Sequence, residues 1–347
     1  MNIKRFVLAF AALGILIGGV FAYKGYTAFF KPNTKFDEET AQVYIPSSAD
    51  FEAVKEELEP LLDDMETFGV AADRKGYTAN VKAGKYEIKK GMDNNAIINS
   101  LRSRSIPVKV AFNNQETLAD LAGRISLQIE ADSTQLLHSF KRTDFLNANG
   151  FNEDTALSMY IPNSYEFFWN TSADGFKERM LKEYTRFWNE DRMAKAKSVG
   201  MSPEEVIALA AIVHKETVKV DERPRVAGVY LNRLRRGMPL QADPTVIYAI
   251  KKHTGDFDTV IKRVLYKDLE LDSPYNTYKV SGLPPGPITM PDISAIDAVL
   301  NAEKHEYLYF VANVENFGYH KFAKTLAQHN RNKVQYVRWI NSKKINR

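Results

Sequence analysis

Residues 202–217 have the sequence SPEEVIALAAIVHKET, which predicts a helix with a clear start. Ser202 is a favoured N-cap residue, Pro203 loses no hydrogen bond in the first turn, and Glu205 completes a capping box. Four apolar residues then recur at helical spacing, which indicates a buried stripe: Val206, Leu209, Ala210 and Val213.

Glu216 stands at the end of this predicted helix. It follows Val213 by three residues and Leu209 by seven, so it lies on or beside the apolar stripe. Removal of water from a carboxyl group raises its pKa and favours the protonated form near neutral pH, which a general acid requires. The same spacing also fits a solvated residue in the last helical turn, and both interpretations of Glu216 stay open.

The composition excludes several classes of function. The chain has 347 residues, enough for two domains, and a net charge of +4, too small for its length to indicate nucleic acid. It has no cysteine, so disulfides, thiolate metal sites and a cysteine nucleophile are excluded. His214, His320 and His329 are scattered, and no H-E-x-x-H, P-loop or G-x-S-x-G motif occurs. The sequence therefore predicts no metal and no cofactor.

The N-terminus carries an uncharged, mostly apolar run, Phe6–Tyr23, preceded by Lys4 and Arg5. As a helix, these residues span roughly 27 Å, close to the ~30 Å hydrocarbon core of a membrane. We therefore expect residues 1–30 to form an uncleaved anchor with a cytoplasmic tip, which places the remainder outside. A cleaved signal peptide is the alternative, because small residues before Tyr23 have suitable spacing.

Residues 31–105 predict a small module of alternating strands and helices. The strands are expected at Ala41–Ile45 and Val81–Ile88. One helix opens at Ser47 or Ser48, and Asp93 caps another over Ala96–Leu101. Within this module, Lys31–Glu39 is predicted to be a linker. Such a unit is typical of a binding or spacing function.

Residues 106–347 predict a second, larger domain. Apolar alternation indicates a strand over Val108–Phe112, and helices follow over Leu118–Phe140, with interruptions, and over Ser172–Asn189. The aromatic stretch Met159–Trp169 fits either a core or one wall of a sugar-binding cleft.

Polar residues and turn formers cluster after Glu216. Asp221, with Pro224 in the first turn that follows, and Asp243, directly before Pro244, are each predicted to cap a helix. Capping explains Asp243 well enough, so a substrate role is an additional hypothesis. Rigid polar loops at 273–278 and 282–288, beside one buried carboxyl group, indicate a substrate cleft.

Several of these segments, taken in order, resemble the endolytic murein transglycosylases (the YceG-like family). The resemblance covers roughly Phe112 to the C-terminus, and the AGKY sequence at 83–86 is similar to the LysM-like part of that family. Departures from the usual pattern occur at Asn163 and at 288–292, and they affect loop contacts. The resembling segments are LAAIVHKET (209–217), RVAGVYLNRL (225–234), LQADPTVIY (240–248), YNTY (275–278), GLPPGPI (282–288), YLYFVA (307–312), HKF (320–322) and TLAQHN (325–330).

The resemblance implies that Glu216 is the catalytic acid of a lytic transglycosylase. It would protonate the glycosidic oxygen between N-acetylmuramic acid and N-acetylglucosamine, and then take the proton of the C6 hydroxyl as a 1,6-anhydro ring closes. Water is not the nucleophile, so a second carboxylate is not required. Gln241, Asp243, Asn276 and Tyr278 are the expected substrate contacts, although Asn276 could instead shape its turn and Tyr278 could pack in the core.

The expected fold class is α+β: a transmembrane helix, a LysM-like module, and a catalytic domain of helices with a short, split sheet. The expected partners are peptidoglycan glycan strands and the membrane, crossed once, with cell-wall synthases as candidate partners and no nucleic acid. The catalytic domain would lie on the extracytoplasmic side of the cell membrane, near emerging glycan strands. The alternative function is a membrane-anchored glycan-binding scaffold without catalysis, which would produce no anhydro-ended fragments.

Overall fold

The computed structural model describes residues 3–342, without the side chains of Lys4, Arg5 and Ser342. The outer ends of the predicted segments 1–30 and 106–347 therefore lie outside the described residues. The chain forms two compact units. The first comprises the chain up to Val110 with Gln128–Ala131 and Tyr165–Ser172, and the second comprises Ala111–Leu127, Asp132–Ser164 and Ala173–Arg347.

The first unit begins with a long apolar helix, α1 (Ile3–Phe30). Its part Phe6–Phe30 has a mean hydropathy of 2.3 and is the one helix among the described residues that is long and apolar enough to cross a membrane. Its large apolar side chains up to Tyr26 are exposed, as in a helix that other protein elements do not cover, whereas Phe29 near its end packs against the core of the following module. This helix is compatible with a single-pass membrane anchor.

A small α+β module follows α1 in the first unit. Strand β1 (Thr40–Ile45) pairs antiparallel with β2 (Gly84–Lys89), so that Thr40 lies opposite Lys89 and Ile45 opposite Gly84. Both strands alternate exposed and buried residues, as strands with one face on a core do. Three helices cover that core: α2 (Phe51–Leu58), α3 (Met65–Arg74) and α4 (Asn94–Arg102).

Helix α2 starts later in the sequence than predicted. Asp50 is its N-cap residue and accepts a hydrogen bond from the backbone N–H of Ala53 at 3.0 Å, so the assignment to Ser47 or Ser48 was wrong. The Ser47 hydroxyl instead donates a hydrogen bond to the Glu130 carboxylate at 2.6 Å. The prediction that Asp93 caps α4 is confirmed, because its carboxylate accepts from the N–H of Ala96.

The first residues of the predicted linker belong to the folded module. Asn33 is buried and donates from its side-chain amide to the Asp64 carbonyl at 2.8 Å and to the Asn94 side chain at 2.7 Å. Asn94 in turn donates to the carbonyl of Ala28, near the end of α1. A buried amide network therefore joins the start of the predicted linker to α1 and to the module.

Strands β3 (Pro107–Phe112) and β4 (Asn163–Phe168) form a second two-stranded sheet, and the division between the units passes through both. The second unit contains a hairpin of β5 (Tyr309–Ala312) and β6 (His320–Ala323). Its helices are α5 (Leu118–Ser126), α6 (Ser133–Phe140), α7 (Thr143–Ala148), α8 (Ala173–Phe187), α9 (Glu190–Val199), α10 (Pro203–Glu216), α11 (Arg223–Arg235), α12 (Asp243–Thr254), α13 (Ile293–Leu300) and α14 (Leu326–Ser342).

Helix α10 is the central element of the second unit. The predicted capping box is confirmed: Ser202 accepts from the N–H of Glu205, whose carboxylate accepts from the N–H of Ser202. Eight consecutive residues, Val206–Val213, are buried, because α9, α11, α12 and α13 all contact this helix. The sequence predicted a stripe on one face, whereas α10 is buried on all sides over this stretch. The chain is thus of mixed α+β class, as expected.

Candidate active site

Glu216 is the last residue of α10, and the chain leaves the helix in an extended conformation at Thr217. A residue at this position extends beyond the packed part of the helix while the buried turns before it fix its backbone. The phenol of Tyr230, on α11, donates a hydrogen bond to Glu216 Oε1 at 2.7 Å. Tyr230 is buried, and burial raises its pKa well above the ordinary value, so it remains protonated and acts as the donor.

The carboxyl group of Glu216 holds a proton more tightly than an ordinary glutamic acid. The residue as a whole is only partly buried, but protein atoms enclose its carboxyl group, and this burial raises the pKa to about 7. The hydrogen bond from Tyr230 and the positive charges of His320 and Arg233 oppose the rise, and the negative charge of Asp243 adds to it. Both protonation states are therefore populated near neutral pH.

Glu216 lines a polar cavity of about 260 Å³. The fold brings three of the four predicted substrate contacts into this cavity: Gln241, Asp243 and Tyr278. The remaining lining residues are Tyr230, Arg233, Leu240, Phe310 and His329.

Asp243 does not cap α12, contrary to the prediction. The helix begins at Asp243 itself, Ala242 is the N-cap residue, and no side-chain cap bond is present. The carboxylate instead accepts a hydrogen bond from the phenol of Tyr278 at 2.5 Å. Burial raises the pKa of Tyr278 well above its ordinary value, so the phenol keeps its proton and is the hydrogen-bond donor.

Asp221 also departs from its predicted role as a cap. Helix α11 begins at Arg223 with Glu222 as its N-cap residue, again without a side-chain cap bond. The Asp221 carboxylate accepts from the phenol of Tyr319 instead. In both helices, the aspartate predicted as the cap instead accepts a hydrogen bond from a tyrosine hydroxyl that is distant in the sequence.

The loop before α12 has a strained backbone at the cavity. Gln241 has a φ of 51° and is the one non-glycine residue with positive φ among residues 3–342. Its N–H donates to the carbonyl of Thr277 at 3.0 Å, and the N–H of Ala242 donates to the Thr277 hydroxyl at 3.0 Å. The segment around Thr277 therefore fixes the conformation that presents Gln241 to the cavity.

Asn276 does not line the cavity. Its side chain is fully buried, and its amide donates to the carbonyls of Leu269 and Leu271 at 2.9 and 2.8 Å. Its side-chain oxygen accepts from the N–H of Tyr278 at 3.1 Å. These contacts hold the loop that carries Tyr278, in agreement with the alternative that Asn276 shapes its turn.

Five lining residues were not predicted as site residues: Tyr230, Arg233, Leu240, Phe310 and His329. The spacing of Tyr230 from Val226 and Leu234 is typical of a core residue of a helix, and nothing local distinguishes a core tyrosine from one that donates to a carboxyl group. Arg233 is buried and donates to the carbonyls of Leu308 and Leu240 at 2.7 and 2.8 Å. The only signal for these residues was their place in the segments that resemble the family.

A carboxylate and an imidazole form a pair beside the site. Glu222 is buried, accepts from the backbone N–H of His320 at 2.7 Å, and lies 2.8 Å from the ring Nδ1 of the same residue. The His320 ring packs edge-on against Phe310, which packs edge-on against Tyr230. This pair places an imidazole whose charge acts on Glu216.

A second network holds the end of α10. The buried Arg223 guanidinium donates to the carbonyl of Thr217 at 3.3 Å, to the Ser294 hydroxyl at 2.6 Å and to Asp292 at 3.3 Å. Asp292 also lies 3.2 Å from the ring Nδ1 of His214, two residues before Glu216 on the same helix. Within residues 3–342, no group of three His, Asp or Glu side chains is arranged to hold a metal ion.

Fold and site together define a mixed α+β protein with a polar cavity around one carboxyl group that binds a proton near neutral pH. A family model described as the YceG-like family matches residues 43–335. The chain is 32% identical over 348 residues to the endolytic murein transglycosylase of Bacillus subtilis (strain 168), covering 95% of this chain and 93% of that protein. The chain therefore belongs to the YceG-like family.

Two further comparisons agree with this assignment. The endolytic murein transglycosylases of two Streptococcus pneumoniae strains are 28% identical over 371 residues, which cover 97% of this chain and 66% of theirs. The 2.6 Å crystal structure of a yceG-like protein from Listeria monocytogenes is similar with a TM-score of 0.57 and 29% identity. That match covers 85% of this chain and 99% of the other.

Proposed function

We propose that this chain is an endolytic peptidoglycan lytic transglycosylase in which Glu216 is the acid and then the base. The observation that carries the proposal is the enclosed Glu216 carboxyl group, with a pKa of about 7, in a polar cavity. The names of the relatives from Bacillus subtilis and Streptococcus pneumoniae support the same activity.

The proposed reaction needs one proton donor and no water. Protonated Glu216 gives its proton to the oxygen that joins C1 of N-acetylmuramic acid to N-acetylglucosamine, and the C1–oxygen bond breaks through an oxocarbenium-like state. The resulting Glu216 carboxylate takes the proton of the C6 hydroxyl while that oxygen bonds to C1. The products are a 1,6-anhydro-N-acetylmuramic acid end and a free N-acetylglucosamine hydroxyl, and Glu216 is protonated again. A pKa of about 7 suits both halves of this cycle.

Gln241, Asp243 and Tyr278 are the proposed substrate contacts. All three line the cavity with Glu216, and their amide, carboxylate and phenol groups match the hydroxyl and amide groups of amino sugars. Asn276 is proposed to act on substrate through the loop that it holds, since its hydrogen bonds are made to the protein.

We further propose that α1 is an uncleaved anchor and that the remainder of the chain lies on the outer side of the cell membrane. The apolar length of Phe6–Phe30 and the basic residues Lys4 and Arg5 support this topology. Residues 31–105 would serve as a LysM-like binding or spacing module, and cell-wall synthases are the proposed partners. Protease added to spheroplasts should digest the body, whereas a mature N-terminus at Tyr23 would instead establish cleavage.

The catalytic assignment is tested with Glu216→Gln on purified sacculi. We expect the variant to lose at least about 10²-fold in activity, the usual contribution of a positioned acid–base group. Wild-type digests should contain 1,6-anhydro ends, identified by mass spectrometry, and the exposed carboxylate variant Glu178→Gln should retain full activity. Near wild-type activity in Glu216→Gln would refute the assignment, and binding of sacculi without any cleavage by wild type would support the scaffold alternative.

A further inference from the structure

The cavity contains a second carboxylate, that of Asp243, which does not serve as a cap of helix α12. Asp243 lines the cavity together with Glu216, yet it makes no cap bond to α12. The negative charge of Asp243 acts on Glu216, so the two carboxyl groups are close enough to interact. The single-acid mechanism leaves this charge without a role in the reaction itself.

Three features stabilise a negative charge at Asp243. The Tyr278 phenol donates to it at 2.5 Å, its position at the first residue of α12 places it at the positive end of that helix, and its side chain is exposed to water. Glu216 has the opposite environment, since protein encloses its carboxyl group. Two carboxyl groups with opposite environments in one site are typical of a proton donor and an anionic stabiliser.

The proposed transition state carries a positive charge with which the Asp243 carboxylate would interact. Departure of the leaving group places positive charge on C1 and the ring oxygen of the muramic acid residue. A sugar that fills the cavity displaces water, and an oriented anion then interacts with that charge more strongly than in solvent. Arg233 also lines the cavity, but its Nε and Nη1 donate to the carbonyls of Leu308 and Leu240.

We propose that Asp243 is a catalytic carboxylate that stabilises the oxocarbenium-like transition state, and that Tyr278 is its positioning residue. This inference rests on the proposed function, because it assumes cleavage at C1 of a sugar bound in the cavity. It adds that the cavity discriminates a positively charged ring from a neutral ring of the same shape.

The test compares two probes on the full chain in detergent. One probe is a disaccharide with a protonated imino-sugar ring at the muramic acid position, and the other is its neutral counterpart of the same length. We expect Asp243→Asn to weaken binding of the cationic probe at least about tenfold and to leave binding of the neutral probe within about twofold. The same variant should lower kcat about 10²-fold, with a smaller change in KM.

Tyr278→Phe should change cationic-probe binding in the same direction but to a smaller extent, because the carboxylate remains while its hydrogen bond is lost. It also serves as the second variant if Asp243→Asn does not fold, as judged by its thermal midpoint. Asp258→Asn, an exposed carboxylate elsewhere in the second unit, is the matched control and should change neither probe.

Equal weakening of both probes by Asp243→Asn would overturn the inference, since it would indicate an ordinary substrate contact. Unchanged kcat would overturn it as well. Failure of the proposed lytic route would be detected in a different experiment, the wild-type digest of sacculi, which would then contain reducing ends in place of anhydro ends. In that event the two-probe comparison still decides the role of Asp243, because hydrolysis passes through a similarly charged transition state.

Discussion

Replacing Glu216 with Gln should stabilise the protein at alkaline pH while it abolishes activity. The folded protein binds the Glu216 proton more tightly than the unfolded chain, because burial raises the pKa from 4.5 to about 7. The stability from this tighter binding is complete below pH 4.5 and is lost as pH rises through about 7. Gln has nearly the same shape, still accepts a hydrogen bond from Tyr230, and has no carboxyl proton to lose.

The size of the effect follows from the two pKa values. At about 1.4 kcal/mol for each tenfold change in proton affinity, a rise from 4.5 to about 7 corresponds to about 3 kcal/mol of destabilisation in the fully ionised wild type. Between pH 5 and pH 8.5, the free energy of unfolding of Glu216→Gln relative to wild type should therefore increase by about 2.5 kcal/mol.

The assay is urea unfolding of the full chain in detergent, followed by intrinsic tryptophan fluorescence at pH 5 and pH 8.5. The control Glu178→Gln removes an exposed carboxylate from α8 and should leave the difference from wild type almost independent of pH. If the stability difference for Glu216→Gln were the same at both pH values, or fell on going to pH 8.5, the Glu216 carboxyl group would not be desolvated as described.

Three further substitutions test the surroundings of the site. His320→Gln removes a positive charge that lowers the pKa of Glu216, so the alkaline limb of the pH–rate profile should move up by as much as about one pH unit; a downward move would contradict this. Arg223→Met removes the hydrogen bond to the Thr217 carbonyl and should cost about 2 kcal/mol in urea unfolding, with unchanged stability as the contrary result. Asn276→Ala should lower the thermal midpoint and activity together, whereas an activity loss without a stability loss would indicate direct substrate contact.

The sequence predicted α10 well because several independent signals agree there. The cap, the proline and the apolar spacing all specify the same helix start, and none depends on distant residues. What local signals could not predict is that the helix is covered on every side. Burial of Val206–Val213 depends on four other helices, and only the assembled fold brings those together.

The cavity was only partly predictable for the same reason. Tyr278 lies in one of the loops rich in turn formers that the sequence predicted beside Glu216, whereas Gln241 and Asp243 stand at the start of a predicted helix and were named as contacts through the resemblance to the family. His329 lies on α14, 113 residues after Glu216 in the sequence. It lines the cavity because of the way α14 packs, which no local signal predicts. The caps assigned to Asp221 and Asp243 failed because a side chain with a tyrosine partner in the folded state no longer needs the helix N–H groups.

The described site combines a desolvated acid with an exposed carboxylate, and the positions of these residues in their helices explain this combination. Glu216 ends a fully packed helix, so its carboxyl group is desolvated by atoms that have little freedom to move. Asp243 begins another helix, and Gln241 precedes it with a left-handed backbone that Thr277 holds in place. Helix ends release side chains from helix packing while they keep the backbone fixed. A desolvated acid and an exposed carboxylate can therefore lie in one cavity, which a single continuous helix face would not allow.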